Sequence, residues 1–142
     1  MNEKQIQLVK ESWSLVATNP EAAGKLFYGR LFEVAPGVRH MFKGEITEQS
    51  RKLMGMLAMI VSKLHKLDTL IDEIKMLAKR HDKYGAKREH YQVVGECLIW
   101  TLNRGLGEHW NKETEEAWVA AYTLLSGAMI DSQTFEPEPT LL

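Results

Sequence analysis

Four side chains in this 142-residue sequence stand out as able to do chemistry: Tyr28, Phe42, Gln49 and His81. His81 carries the most weight. Leu70, Ile74, Leu77, Ala78 and His81 recur at helical spacing, so they share one face of a helix that Gly85 can end. An imidazole on that apolar face needs a partner, because an unsatisfied buried polar group costs about 1–3 kcal/mol. A backbone carbonyl, a carboxylate or a metal ion would each serve, and for a lone histidine the satisfied-core reading is the better one. The others have equally ordinary explanations: a tyrosine with its hydroxyl at the core rim, a packing phenylalanine, a glutamine left in solvent near a helix start.

As a group the four describe something more specific. A flat, hydrophobic, iron-bearing macrocycle needs one axial imidazole from a helix on one side and a second helix across its other face, with polar groups there to govern ligand binding. His81 would supply the imidazole, and the stripe of Gln49 and Leu53 the second helix. Tyr28 and Gln49 would be the polar groups, and Phe42 would stack on the ring edge. No cysteine, histidine pair or carboxylate cluster with zinc or di-iron spacing competes for this role.

The elements that must position these residues are helical. Gly and Pro are sparse, and Met, Leu, Ala, Lys and Glu dominate without strand-like alternation. Ile6, Val9, Trp13 and Val16 make a first amphipathic helix. Asn19-Pro20 opens a second, carrying Leu26, Phe27, Tyr28, Leu31 and Phe32 to about Ala35, where Pro36 breaks it. After a short segment to Phe42 and a loop at Lys43-Gly44, Thr47 is expected to cap a long helix to about His65. Asp68 is expected to cap the helix of His81. A further helix after Lys87 shows Tyr91, Val94, Leu98 and Leu102, and Asn111 opens the last, with Trp118, Tyr122, Leu125 and Met129. About seven helices follow, with no sheet. Residues 1–133 read as one domain and 134–142 as a loose tail.

Composition excludes several function classes. Eighteen basic and nineteen acidic residues nearly cancel, and no basic stripe is interleaved with aromatics, so nucleic acid is not an expected partner. A single cysteine, Cys97, rules out a disulfide framework and is expected to be a small buried filler. No charged-then-apolar leader and no bilayer-length apolar run is found, so a soluble, cytoplasmic protein without membrane contact is expected. His40, His65, His90 and His109 are expected at the surface.

The chain resembles a globin from Lys4 to about Asp131. The landmarks are Trp13, Pro36, Phe42, the segment LAKRHDKYG with His81, then EHYQVVGECL with Tyr91, and AWVAAY with Trp118 and Tyr122. Within that family it is most similar to bacterial single-domain globins and to the haem domain of flavohaemoglobins, which show Tyr28, Gln49 and Leu53 at the three ligand-facing positions. The resemblance implies an all-α globin fold around b-type haem. It implies His81 as the iron ligand, with Phe42, Tyr28, Gln49, Leu53, Lys52, Leu77, Tyr84, Tyr91 and Val94 about the cofactor. Arg51 and Lys52 are candidates to reach the propionates. The resembling proteins pair Tyr91 with a last-helix glutamate; that position here reads Gln133, and Glu136 stands nearby as a substitute.

Three functions follow from the resemblance. The leading one is reversible binding of O₂ for transport or storage, with slow release set by Tyr28 and Gln49. The second is NO dioxygenation with a separate reductase, and the third a haem-based gas sensor. CO and NO are further expected ligands, and a monomer or homodimer is expected. A helical interaction module whose pocket is filled by side chains is the remaining alternative.

Overall fold

The computed structural model describes residues 1–42 and 44–132, leaving aside the side chains of residues 67, 68, 83 and 84. Over these residues the chain is six α-helices joined by short turns and three 3-10 segments, with no strand. The helices are α1 (Glu3–Val16), α2 (Pro20–Val34), α3 (Ile46–Ser62), α4 (Ile71–Tyr84), α5 (Arg88–Leu106) and α6 (Lys112–Ser132). Local chemistry explains several starts. Asn2, Asn19 and Asn111 each accept a backbone N–H three residues on, at 2.8, 3.3 and 2.9 Å. Gly85 and Gly44 supply the positive φ values of 82° and 96° that turn the chain after α4 and before α3.

Two helix boundaries differ from expectation. Thr47 lies inside α3; Glu45 occupies the cap position without a side-chain bond. The helix does not run to His65 but ends at Ser62. The chain tightens into a 3-10 stretch over Leu64–Leu70, kinked at Lys66. Burial explains the change, because Leu64 and Leu70 are both turned inside, which a continuous α-helix could not do for both. Consequently α4 starts after Leu70 and takes no side-chain cap, so Asp68 does not open it. Leu26 sits on the outer side of α2, exposed, while Phe27, Tyr28 and Leu31 face inward. The expected tail 134–142, with Gln133, lies outside the described residues.

Packing divides the molecule. α2 lies against α3, α1 against α6, α2 against α5, and α4 against α6. Trp118 joins the first and last helices: its indole N–H donates to Ser12 Oγ at 2.8 Å, and its ring lies 6.2 Å from that of Trp13. The α2–α3 crossing is closer than side chains normally permit. A Cβ on Gly24 would stand 2.8 Å from both the Cα and the Oγ of fully buried Ser50, whose hydroxyl finds no hydrogen-bond partner. The small residues are there to let the two helices meet.

Gly24→Ala should therefore destabilise the fold by about 1–3 kcal/mol of overpacking, despite the roughly 1 kcal/mol that alanine brings to an open helix position. Gly29→Ala, on the same helix with nothing within 4 Å of the new methyl, should instead be stabilising. Urea midpoints of the two variants check the opposite signs.

Candidate functional site

The site is built where two helices of this fold meet only lightly. α3 is held by α2 and α4 by α6, and the two approach each other only marginally. On α3 the buried stripe is Ser50, Met54, Leu57 and Val61, which packs into the core. Gln49, Leu53 and Met56 form its flank and are only half covered, as are Ile74 and His81 on α4. Apolar residues on two facing helices that neighbouring protein does not finish covering line a space of their own. Part of that space is a cleft of about 200 Å³ walled by Met56, Met59 and Ile60 on one side and Leu70, Ile74 and Leu77 on the other.

His81 stands half-buried in the last turn of α4. Its Nδ1 lies 2.8 Å from the Leu77 carbonyl oxygen. A carbonyl only accepts, so Nδ1 carries the proton and Nε2 holds the lone pair. Burial holds the imidazole below its usual pKa of 6.5, the Leu77 bond opposing the shift, so the neutral, ligating form is the favoured one. Beyond the histidine, the Tyr91 ring lies nearly parallel to it, centroids 6.4 Å apart and planes at 21°. Leu77, Ala78, Tyr91 and Met129 pack as a small cluster under α4.

Tyr91 is held in turn by a residue that sequence patterning marked only as core. The Tyr122 hydroxyl donates to the Tyr91 carbonyl at 2.6 Å. Its ring covers Gly95 so closely that a Cβ there would come within 2.6 Å of it. Burial pushes the Tyr91 phenol up to about 12, and that of Tyr122 further. The sign of the consequence is clear. Both phenols are neutral in folded and unfolded chains below pH 10, so their contribution is intact there. Above pH 10 the unfolded chain ionises while the folded one resists, and stability falls as pH rises. Urea titrations between pH 9 and 11 should show this slope, and Tyr122→Phe should make it shallower.

Tyr28 is buried in a cluster of rings. Its centroid lies 5.1 Å from Phe27, 5.8 Å from Phe32 and 5.2 Å from Phe42, and Phe32 meets Phe42 edge-on at 5.6 Å. Phe42, expected from sequence only as a ring-stacking residue, is thus also the neighbour of the tyrosine. Leu53 and Val94 pack at the margin of the main core. Lys52 is exposed and pairs with Glu48 one turn back at 3.5 Å; Arg51 is exposed as well. Tyr84 ends α4, and its side chain lies outside the described residues, as do Gln133 and Glu136.

The remaining candidates are peripheral. His40, His65 and His109 are exposed, with His65 Nδ1 2.7 Å from Lys10 Nζ, and half-buried His90 accepts the Lys87 N–H at 2.9 Å. Cys97 is buried. Among the described residues no three His, Cys, Asp or Glu side chains group to hold a metal ion. No helix is long and apolar enough to cross a membrane. The residues that patterning missed, Gly24 and Ser50, act through a contact between two helices. Only the isolated mid-helix Gly24 carries a local signal.

Chemically, the arrangement offers one imidazole held toward its neutral form at the end of α4 and a buried phenol in the aromatic cluster on α2. That suits a planar apolar group with a single axial position to be filled by protein.

Comparison with known proteins agrees with this geometry. The family model described as Globin matches residues 25–129. A flavohemoprotein of Rhodopirellula baltica is 31% identical over 92% of this chain, which spans 33% of that relative. A bacterial globin structure from Campylobacter jejuni superposes with a TM-score of 0.83 at 27% identity, covering 93% of this chain and 96% of the other. An engineered carbene transferase, derived from a protein provisionally assigned as a nitric oxide dioxygenase of Rhodothermus marinus, superposes with a TM-score of 0.81 at 26% identity, covering 89% of each chain.

Proposed function

The chain belongs to the globin family, and from that premise we propose that it is a haem protein that binds O₂ reversibly and releases it slowly. Haem follows from the family; the b-type is part of the proposal. His81 would be the axial ligand, with Leu77, Tyr91 and Val94 beneath the plane and Phe42, Gln49 and Leu53 on the other side. When bound, haem supplies the iron on which a diatomic gas exchanges. The observation that carries the reading is the orientation of His81, whose protonated Nδ1 is engaged by the Leu77 carbonyl while the lone-pair nitrogen belongs to the other side of the ring.

The chain's own residues do the rest. The Leu77 carbonyl fixes the imidazole tautomer and its angle, and Tyr91 limits rotation of the ring. Tyr28 and Gln49 donate hydrogen bonds to a ligand that gains negative character, each worth about 0.5–1.5 kcal/mol and more against charge. The apolar walls exclude water, which strengthens those bonds. Arg51 and Lys52, exposed at the edge, are the candidate propionate partners. A single buried thiol fits a reducing compartment, and we place the protein in the cytoplasm on that ground.

The test is spectroscopic. The purified protein should carry a Soret band, and its ferrous form should take up O₂ and return unchanged when the gas is removed. A colourless protein would refute the haem reading; oxidation at every exposure to O₂ would refute reversible binding.

A second reading, NO dioxygenation, is favoured by the Rhodothermus marinus neighbour and the flavohemoprotein relative. Turnover would call on a source of electrons, and a reductase is the proposed partner. Sustained NO consumption under air, with a reductase supplied, separates enzyme from carrier; a single stoichiometric round favours the carrier.

A further inference from the structure

We propose that Arg39 is a positioning residue for the distal side of the cavity, holding Phe42 directly and the Tyr28 ring through Phe32. The inference rests on reading that cavity as a haem site. Arg39 closes the 3-10 segment over Pro36–Met41, just before the chain turns into α3. It holds Phe42 by both backbone groups. The Phe42 N–H donates to the Arg39 carbonyl at 3.2 Å, and Arg39 Nη1 donates back to the Phe42 carbonyl at 3.1 Å. The same guanidinium lies over the Phe32 ring, 4.9 Å from its centroid.

Phe32 passes that restraint on. Its ring stacks on Tyr28 with planes at 29° and meets Phe42 edge-on. Tyr28 and Phe42 are themselves in edge contact, so Phe32, Phe42 and Tyr28 form a closed triangle of rings with the guanidinium against one corner. A phenol that must donate to a small ligand has to be placed within a few tenths of an ångström. The ring triangle sets its position, and the exposed arginine holds two of the three rings in place. The choice of arginine has a reason: a planar guanidinium can stack on a ring and donate sideways to a carbonyl at once, which an ammonium does less well.

The test compares Arg39→Gln and Arg39→Lys with Arg104→Gln as control, an exposed arginine of α5 whose guanidinium lies over Trp100. Four phenylalanines allow fluorine NMR with fluorinated phenylalanine on the whole chain. In Arg39→Gln the Phe32 and Phe42 resonances should move furthest, and that of Phe27, which meets the triangle at Tyr28, should move less. In the ferrous CO form a C–O stretch like that of Tyr28→Phe should appear, and O₂ release should quicken by about 2- to 12-fold, the equivalent of part of one hydrogen bond. Arg39→Lys should fall between, and Arg104→Gln should match wild type. Unmoved Phe32 and Phe42 signals would overturn the clamp. Moved signals with unchanged C–O stretch and O₂ release would overturn its reach to Tyr28. A wild-type chain that takes up no haem would remove the functional reading instead, and the fluorine spectra of the haem-free chain would still decide whether Arg39 holds the rings.

Discussion

His81→Ala protein should emerge folded and helical but largely without pigment. The bland alternative, a core histidine satisfied by backbone, makes a different forecast, which gives the experiment its force. The imidazole's bond to the Leu77 carbonyl is additional to the helical bond that this carbonyl already makes to residue 81, so alanine leaves no buried acceptor stranded. Alanine is also the better helix former. Stability of the haem-free chain should thus change by well under the roughly 3 kcal/mol typical of a broken core. Haem retention should fall by more than the roughly 10–100-fold that loss of a mere supporting partner costs a metal site. Imidazole added in solution should restore part of the spectrum. A variant with full pigment and unaltered axial coordination would remove His81 from the site.

Tyr28→Phe is the second large effect, and it concerns release, with haem retention left alone. Phenylalanine keeps the ring that packs against Phe27, Phe32 and Phe42, so the fold and the cavity shape survive. What is lost is one O–H donor in a water-poor space. A hydrogen bond to an acceptor bearing charge is worth about 1.5–3 kcal/mol, so O₂ dissociation should speed up by roughly one to two decades. Stopped-flow displacement of O₂ by CO measures this directly. Equal rates in wild type and variant would show that the phenol does not reach the ligand, and Gln49 would then be left as the donor to test.

The two experiments differ in which part of the sequence made them possible. His81 was legible because its helix keeps strict apolar spacing and a glycine stop, so an imidazole on the wrong face is conspicuous. Tyr28 is legible only as an aromatic on a helix face; its partners Phe32 and Phe42 come from α2 and the corner after it. The end of α3 and the start of α4 depart from local cap chemistry at Asp68 because the burial of Leu64 and Leu70 sets the chain between them, which no local rule records.

The amino-acid sequence alone therefore determines the helical class, the caps at Asn19 and Asn111 and the one imidazole, since each depends on residues within a turn or two of one another. Which helices touch is decided only in three dimensions. Gly24 meets Ser50 across the α2–α3 crossing, Tyr122 bonds Tyr91 from another helix, and α4 leans on α6 so that α3 is kept at a distance. The cleft between α3 and α4 lies between helices that pack mainly on other partners, and pairwise packing of that kind leaves no periodic trace along a chain.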